Sequence, residues 1–225
     1  RGLYKDLKLE PTLVYLATLK GVDEGAARER LGPWLERFDL ADDRQKKVKE
    51  LSKGMQQKAQ IIATLLHEPD LIVIDEPFQG LDPVSTRLVK QVLDEQRQAD
   101  RAILMSTHQM HQVEALCDRI VLIDGGRNVL YGALDEIRRR YAGGALLVRV
   151  EGELPPIPGT TRGPKSNGAI RLILEGDTKP QDVLEELVAQ RVPIEQYEIA
   201  VPSLDEIFVR VVGAKDDADR GRADE

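Results

Sequence analysis

The sequence has one cysteine, Cys117, in 225 residues. A single cysteine excludes an intramolecular disulfide framework and a cysteine-rich zinc site, and it fits a reducing, cytoplasmic setting. Long apolar runs are also missing, because no stretch comes near the ~18 residues that a membrane span requires. The first residues, RGLYKDLKLEPTL, contain neither an initiator Met nor the apolar core of a signal peptide. We therefore expect that the protein is not secreted and that the chain has been cut from something longer.

Aromatic residues and clustered positive charge are scarce as well. Aromatic residues make up 4% of the chain, and 32 Lys and Arg face 39 Asp and Glu, for a formal net charge of −7. Nucleic-acid binders concentrate basic residues on one face and often stack bases on aromatic side chains. We therefore predict no nucleic-acid partner. With 41% hydrophobic and 32% charged residues, the composition is typical of a soluble globular protein.

The chain divides into four parts by the period of its apolar residues. Residues 1–48 predict two or three amphipathic helices, and residues 49–134 predict alternating helices and strands. Residues 135–213 predict a small α+β accessory domain, in which LPPIPGTTRGPKSNG is expected to be a loop because it is rich in Pro and Gly. The tail, 214–225, has no apolar periodicity and is predicted to be disordered.

The second part has the order of a βαβ unit. The strand LIVID, from Leu71 to Asp75, is followed by the helix DPVSTRLVKQVLDEQRQAD and the strand AILMSTH, which indicates a parallel pair. Both strands are apolar runs, so we expect them to be buried on both faces of the sheet. The segment RIVLIDGGRNVLYG predicts a hairpin that turns at Asp124-Gly125-Gly126. The fold class of this part is α/β.

Two acidic residues, Asp75 and Glu76, end the first strand. They stand at the carboxyl end, the edge where open α/β sheets place their ligands. There Asp75 could hold a Mg²⁺ ion, and Glu76 could orient and deprotonate an attacking water. Such acids also cap turns or pair with Lys or Arg, so the pattern alone leaves both interpretations open. His108 ends the neighbouring strand and is expected to point into the same crevice as Glu76.

The segment LSKGMQQKAQ, beginning at Leu51, predicts the start of a helix capped by Ser52. A helix amino terminus carries roughly +0.5 elementary charge and unpaired N–H groups, so phosphate is a natural ligand there. Gly54 lets a backbone approach closely, and Lys53 adds positive charge. An ordinary capped helix explains the same residues, so this segment does not decide the function by itself.

Taken in order, these segments resemble a known family. The run LSKGMQQKAQIIATLLHEPDLIVIDEPFQGLDP, followed by ILMSTHQM, resembles the second half of an ABC-type ATP-binding protein: the signature motif, Walker B strand, D-loop and switch histidine. RGLYKDL, SKGMQQK and the ending PSLDEIFVRVVG are similar to the ATPase subunits of bacterial ABC-2-type exporters. The resemblance implies the second half of a P-loop NTPase domain with a helical subdomain, plus a small α+β carboxyl-terminal domain.

The resemblance also implies a role for individual residues. The signature residues are expected to contact the γ-phosphate of ATP held by an opposite subunit: Ser52, Lys53, Gly54, Met55 and Gln56. Asp75 is expected to hold Mg²⁺, and Glu76 to act as the general base. Asp82 is expected to communicate across the dimer, and His108 to sense the γ-phosphate. Lys53 and Met55 stand where the commonest signature has Gly and Gln, and Gln79 stands where Ser is frequent.

The sequence contains no G-x-x-x-x-G-K-[ST] loop to cradle phosphates. In the family this Walker A loop lies upstream, so we interpret the chain as the carboxyl-terminal portion of a longer polypeptide. By itself it is expected to bind ATP weakly and not to hydrolyse it.

The function implied is that of an ATPase subunit energising a transporter, with a transmembrane permease and a second ATPase subunit as partners. It is expected to lie in the cytoplasm against the inner face of the plasma membrane. The alternatives are a soluble ABC protein acting on ribosomes or DNA, and a non-catalytic interaction module.

Overall fold

The computed structural model describes residues 3–142, 144–166 and 168–212. The tail predicted to be disordered, 214–225, lies outside the described residues. The chain divides into two compact units, residues 1–109 and 110–225, and each is described by itself. Across the described ranges, no helix is long and apolar enough to cross a membrane.

The first unit contains four α-helices that bury leucine, isoleucine and valine side chains. They are α1 (Leu9–Thr18), α2 (Glu24–Arg37), α3 (Lys53–Leu65) and α4 (Pro83–Gln98). Two short 3₁₀ turns, Ala41–Asp43 and Val48–Glu50, lie between α2 and α3. Three of the four helices begin after a side-chain cap, since the side chains of Asp23, Ser52 and Asp82 accept hydrogen bonds from backbone N–H groups of the first turn.

Helices α2 and α4 are joined by an ion pair. The guanidinium of Arg37 donates to both carboxylate oxygens of Glu95, at 2.6 and 2.7 Å. The Arg37 guanidinium lowers the pKa of the Glu95 carboxyl below its ordinary value. The two hydrogen bonds hold α2 against α4, the helix of the βαβ unit.

The two strands of the first unit, β1 (Leu71–Asp75) and β2 (Ala102–Ser106), pair in parallel as predicted. The prediction that both faces would be buried is wrong. Ile72 and Ile74 are buried, but Leu71, Val73 and Leu104 expose 58%, 60% and 58% of their surface. Successive side chains of a strand point to opposite faces, so the described residues of this unit cover one face of the pair.

The second unit begins with a helix and the predicted hairpin. Helix α5 (Met110–Leu116) precedes β3 (Arg119–Asp124) and β4 (Arg127–Ala133), which are antiparallel. Helix α6 is Leu134–Tyr141, and a further helix, α8, spans residues 204–212. These elements share one core, which contains Leu130, Leu134, Ile137, Leu204 and Ile207.

A four-stranded antiparallel sheet forms the rest of the second unit. Its strands are β5 (Ala145–Val150), β6 (Thr160–Ser166), β7 (Ala169–Leu174) and β8 (Ile194–Ile199), in the order β6-β7-β5-β8. Helix α7 (Pro180–Ala189) packs on one face through Val183 and Leu187. The first unit is therefore a helical layer with a parallel strand pair, and the second combines helices with antiparallel strands.

Strand β6 corrects the prediction of a loop between the strands of the accessory domain. Its sequence, TTRGPKS, contains the Gly and Pro that suggested a loop. The strand lies at an edge of the sheet, and its pairing with β7 shifts register between Arg162 and Lys165, where Gly163 and Pro164 stand. An edge strand tolerates proline at such an irregularity because no ladder hydrogen bond is needed there.

Candidate functional site

The carboxyl ends of β1 and β2 place polar groups side by side. The register pairs Asp75 with Ser106, and the Ser106 hydroxyl donates a hydrogen bond to Asp75 Oδ1. One residue further on, the Glu76 N–H donates to the Ser106 carbonyl at 2.9 Å. Backbone pairing between the strands thus fixes where both acidic residues stand.

The Glu76 carboxylate accepts hydrogen bonds from two residues beyond β2. His108 Nδ1 lies 2.6 Å from Glu76 Oε1, and the His108 backbone N–H donates to the same oxygen at 3.0 Å. The Thr107 hydroxyl donates to Glu76 Oε2 at 3.1 Å. A carboxylate offers about four lone-pair sites, so one remains for a further donor such as water. The side chain is 22% exposed, which leaves a solvent path to it.

The backbone of Glu76 is in the left-handed region, with φ of 47°. This conformation costs an L-residue about 1–2 kcal/mol, and it persists only where neighbouring groups hold it. The Glu76 N–H is held by Ser106, and the Glu76 carbonyl accepts from the side-chain amide of Gln57 at 3.1 Å and from the N–H of Gln79 at 3.2 Å. Hydrogen bonds on both sides therefore maintain the strained residue.

The amino end of α3 is an exposed helix terminus. The Ser52 hydroxyl accepts from the Met55 N–H at 3.2 Å, and Lys53 is the first helical residue. The first turn has no acidic residue, so no carboxylate of this turn offsets the partial positive charge of the terminus. The Gln56 side-chain amide donates to the Leu51 carbonyl at 2.8 Å. This end of the helix can receive an anion.

Gly54 lies where α3 meets the loop that follows Glu76. A Cβ at this position would stand 3.0 Å from the Gly80 carbonyl oxygen. Gly80 itself has φ of 75°, a conformation that glycine adopts without strain. Any side chain at position 54 would force the Gly80 carbonyl to shift by a few tenths of an ångström, so the close approach of helix and loop favours glycine there.

Asp82 caps helix α4. Its Oδ1 accepts from the N–H groups of Val84 and Ser85, both at 2.9 Å, and its Oδ2 accepts from the Ser85 hydroxyl at 2.6 Å. The Ser85 hydroxyl is the largest cause that lowers the pKa of the Asp82 carboxyl. The carboxylate is therefore held in its ionised form at the start of α4.

The structure places the predicted residues at three positions in the first unit. Asp75, Glu76 and His108 come together at the strand ends, whereas the signature residues lie at the start of α3 and Asp82 at the start of α4. Sequence reasoning did not assign a role to Ser106, Thr107 or Gln57. Ser106 ends β2 and Thr107 follows it, and this position at a strand end was a usable signal. Nothing in the pattern separates Gln57 from the other glutamines of its helix.

The donor set around Asp75 is compatible with Mg²⁺. In the part of the chain that the structure describes, no group of three or more His, Cys, Asp or Glu could hold a metal. Magnesium at phosphate-binding sites requires only one or two protein carboxylates, because phosphate oxygens and water complete its shell. Asp75 supplies one such carboxylate, and the adjacent Ser106 hydroxyl is a further oxygen donor.

Two protein-family models match the chain. Residues 132–212 match the C-terminal domain of ATP-binding proteins like DrrA1-3, and residues 29–114 match an AAA-domain family grouped under the AbiEii toxin of type IV toxin–antitoxin systems. The first match begins at the end of β4 and covers α6, the four-stranded sheet, α7 and α8. The second covers α3, both strands of the first unit and α4.

Several curated proteins are similar to the chain along most of its length. The ABC transporter ATP-binding protein YhaQ of Bacillus subtilis is 37% identical over 217 residues, 95% of this chain and 72% of that protein. An ABC transporter ATP-binding protein of Alkalihalophilus pseudofirmus is 37% identical over 218 residues, 95% and 80% of the two chains. The daunorubicin resistance ATP-binding protein DrrA3 of Streptomyces coeruleorubidus is 31% identical over 199 residues, 83% and 62% of the two chains.

A solved structure of an ATP-binding subunit of an ABC transporter superposes with a TM-score of 0.58 at 39% identity, over 62% of this chain and 58% of that one. The fold is thus the α/β class of P-loop NTPases, in its ABC form. The chain belongs to the family of ABC transporter ATP-binding proteins, and it carries a DrrA-like C-terminal domain.

Proposed function

We propose that this chain is part of an ATPase that energises an ABC exporter, and that Glu76 is its general base. The observation that carries the proposal is the Glu76 carboxylate at the end of β1, which accepts hydrogen bonds from His108 and Thr107 and keeps one acceptor site for water. Membership of the family supports ATP as the nucleotide. Glu76 removes a proton from the water that attacks the γ-phosphate.

His108 is proposed to connect the base to the γ-phosphate. A carboxylate oxygen only accepts hydrogen bonds, so Nδ1 of His108 carries the proton in its 2.6 Å contact with Glu76. The ring is 75% exposed, so Nε2 is free to face a nucleotide. We propose that Nε2 of His108 faces an oxygen of the γ-phosphate.

The amino end of α3 is proposed to bind the γ-phosphate of ATP held by a second ATPase subunit. Its exposed N–H groups and its lack of acidic residues support this role for the signature residues: Ser52, Lys53, Gly54, Met55 and Gln56. Asp82, at the start of the next helix, is proposed to communicate between the two subunits. Asp75 is proposed to hold Mg²⁺, which supplies charge neutralisation at the β- and γ-phosphates.

The proposed partners are a transmembrane permease and the second ATPase subunit, with the protein on the cytoplasmic side of the plasma membrane. We propose that the protein is organised in three folded parts: a helical subdomain at 1–48, a catalytic half at 49–134 and an accessory domain at 135–213. Relatives that are named as transporter and drug-resistance ATP-binding proteins support this assignment over a soluble ABC protein of ribosomes or DNA. The same relatives disfavour a non-catalytic interaction module.

Replacing Glu76 with glutamine tests the base. In the gene product that contains this chain, assembled with its partners, Glu76→Gln should slow ATP hydrolysis by ~10²–10⁴ and leave ATP binding intact, because only proton removal is lost. Glu68→Gln is the matched control, since Glu68 also has a left-handed backbone (φ 53°) but pairs with Arg30 at 3.1 Å. Hydrolysis that continues at the wild-type rate in Glu76→Gln would remove Glu76 from this role.

Co-purification tests the membrane partner. The tagged gene product, extracted from membranes in mild detergent, should retain a multi-span membrane protein in a fixed ratio. Recovery of ribosomes or DNA in place of a membrane protein would favour the soluble alternative and contradict the transporter assignment.

A further inference from the structure

Gln57, in the second turn of α3, contacts the backbone that follows the proposed base. Its side-chain amide Nε2 lies 3.1 Å from the Glu76 carbonyl oxygen and 3.2 Å from the Pro77 carbonyl oxygen. Both distances are within the range of N–H···O hydrogen bonds. One amide group thus holds two consecutive carbonyls of a loop that lies 19 residues away in the sequence.

The first of these hydrogen bonds is accepted by a residue whose backbone is strained. Glu76 has φ of 47°, and the pairing of its N–H with Ser106 fixes only the side that faces β2. Its carbonyl side is held by the N–H of Gln79 and by Gln57. Because the direction of a side chain follows from the backbone that carries it, the Gln57 amide helps to set where the Glu76 carboxylate points.

The same residue also connects the residues at the strand ends with the signature residues of α3. Gln57 lies in α3 five residues after its cap, Ser52, so it is rigidly linked to the helix end that is proposed to face phosphate. Helix α3 approaches the loop after Glu76 at a second point, in its first turn. There a Cβ on Gly54 would lie 3.0 Å from the Gly80 carbonyl oxygen. A displacement of the helix end therefore moves the Glu76 peptide with it.

We propose that Gln57 is a positioning residue for ATP hydrolysis: it orients Glu76 and couples the base to the phosphate-facing end of α3. This inference rests on the proposed function, because it assumes that Glu76 is the base. The competing explanation is that Gln57 only joins a helix to a loop and contributes to folding.

Substitution of Gln57 separates these explanations. Gln57→Met has a similar length but no donor, and Gln57→Lys keeps an N–H donor on a side chain long enough to reach the carbonyls. A misplacement near 1 Å costs on the order of 10²-fold in rate, so Gln57→Met should lower kcat about 10- to 100-fold and change KM for ATP less than about twofold. Gln57→Lys should recover most of the lost rate. The matched control is Gln60→Met, one turn further along α3, which should hydrolyse ATP at the wild-type rate.

Urea unfolding of the purified gene product, followed by far-UV circular dichroism, reports the stability of each variant. A fall in kcat that the donor-bearing variant reverses, in Gln57→Met protein that is still folded at the assay temperature, supports the positioning role. Equal losses of rate in the Met and Lys variants together with a lowered midpoint overturn it, because they indicate a purely structural contribution.

A double variant shows whether Gln57 acts through Glu76. In a Glu76→Gln background, Gln57→Met should reduce the residual rate by less than about twofold, since residues that act as a unit are not additive. A further loss as large as in the wild-type background overturns the inference. If Glu76→Gln alone leaves hydrolysis intact, the proposed function fails; if it slows hydrolysis but Gln57→Met does not, only the inference about Gln57 fails.

Discussion

The left-handed backbone of Glu76 predicts an unusual order of stability among variants at this position. Glu76→Ala and Glu76→Gly both lose the carboxylate and its hydrogen bonds with His108 and Thr107. They differ in one respect, because alanine keeps the Cβ that is strained at φ of 47° and glycine does not. The comparison of the two variants therefore isolates the backbone strain.

The magnitude follows from two opposing terms. Relief of the left-handed strain favours glycine by about 1–2 kcal/mol, and the extra freedom of glycine in the unfolded chain favours alanine by about 0.4–1 kcal/mol. Glu76→Gly should thus be more stable than Glu76→Ala by roughly 0.5–1 kcal/mol. At Asp94, within helix α4, the order should reverse, and glycine should be less stable than alanine by about 1 kcal/mol.

Urea unfolding followed by far-UV circular dichroism measures these differences. The expected result is a change of sign between the two positions, with the m-value unchanged. If alanine is at least as stable as glycine at position 76, the backbone there is not left-handed, and the account of how Gln57 and Ser106 hold it is wrong.

Two further predictions concern the pair between α2 and α4 and the core of the second unit. Arg37 depresses the pKa of Glu95, so the pair stabilises the fold above the unfolded-state pKa of about 4.3 and loses this contribution as the pH falls through the folded pKa. Glu95→Gln removes the titrating group, so the free energy of unfolding should fall less on acidification, by at most ~1 kcal/mol. A pH profile of urea unfolding that matches the wild type contradicts this. Leu187 is fully buried against the four-stranded sheet, so Leu187→Ala should lower the free energy of unfolding by about 2–5 kcal/mol. Urea unfolding followed by circular dichroism measures this loss, and a loss below about 1 kcal/mol would show that the core is not packed as described.

Several elements follow from the sequence because their interactions span only a few residues. The Ser52 cap of α3 and the Asp82 cap of α4 use hydrogen bonds to backbone groups two or three positions away. Ser203 and Glu206 form a reciprocal pair before α8 over the same separation, with each side chain accepting from the other's N–H at 3.2 Å. The hairpin of β3 and β4 turns at the predicted glycines.

Interactions between distant segments were predicted less completely. The order of strand, helix and strand was sufficient to predict that His108 and Glu76 would lie together, because parallel strands end at the same edge of a sheet. The same pattern did not predict that one face of the strand pair is exposed, since burial depends on which layers pack on a sheet. It also missed β6, because the edge position that tolerates Pro164 is a property of the assembled sheet.

The sequence by itself thus determined the family, the helix caps and the polar residues at the strand ends, since each depends on local spacing or on a contiguous motif. Only the tertiary structure decided that Glu76 is held in a left-handed conformation, that Gln57 donates to its carbonyl, and that Gly54 contacts the loop at Gly80. These features depend on the angle and distance at which α3 packs beside the end of β1. That geometry results from the combined burial of many side chains, and no short stretch of sequence encodes it.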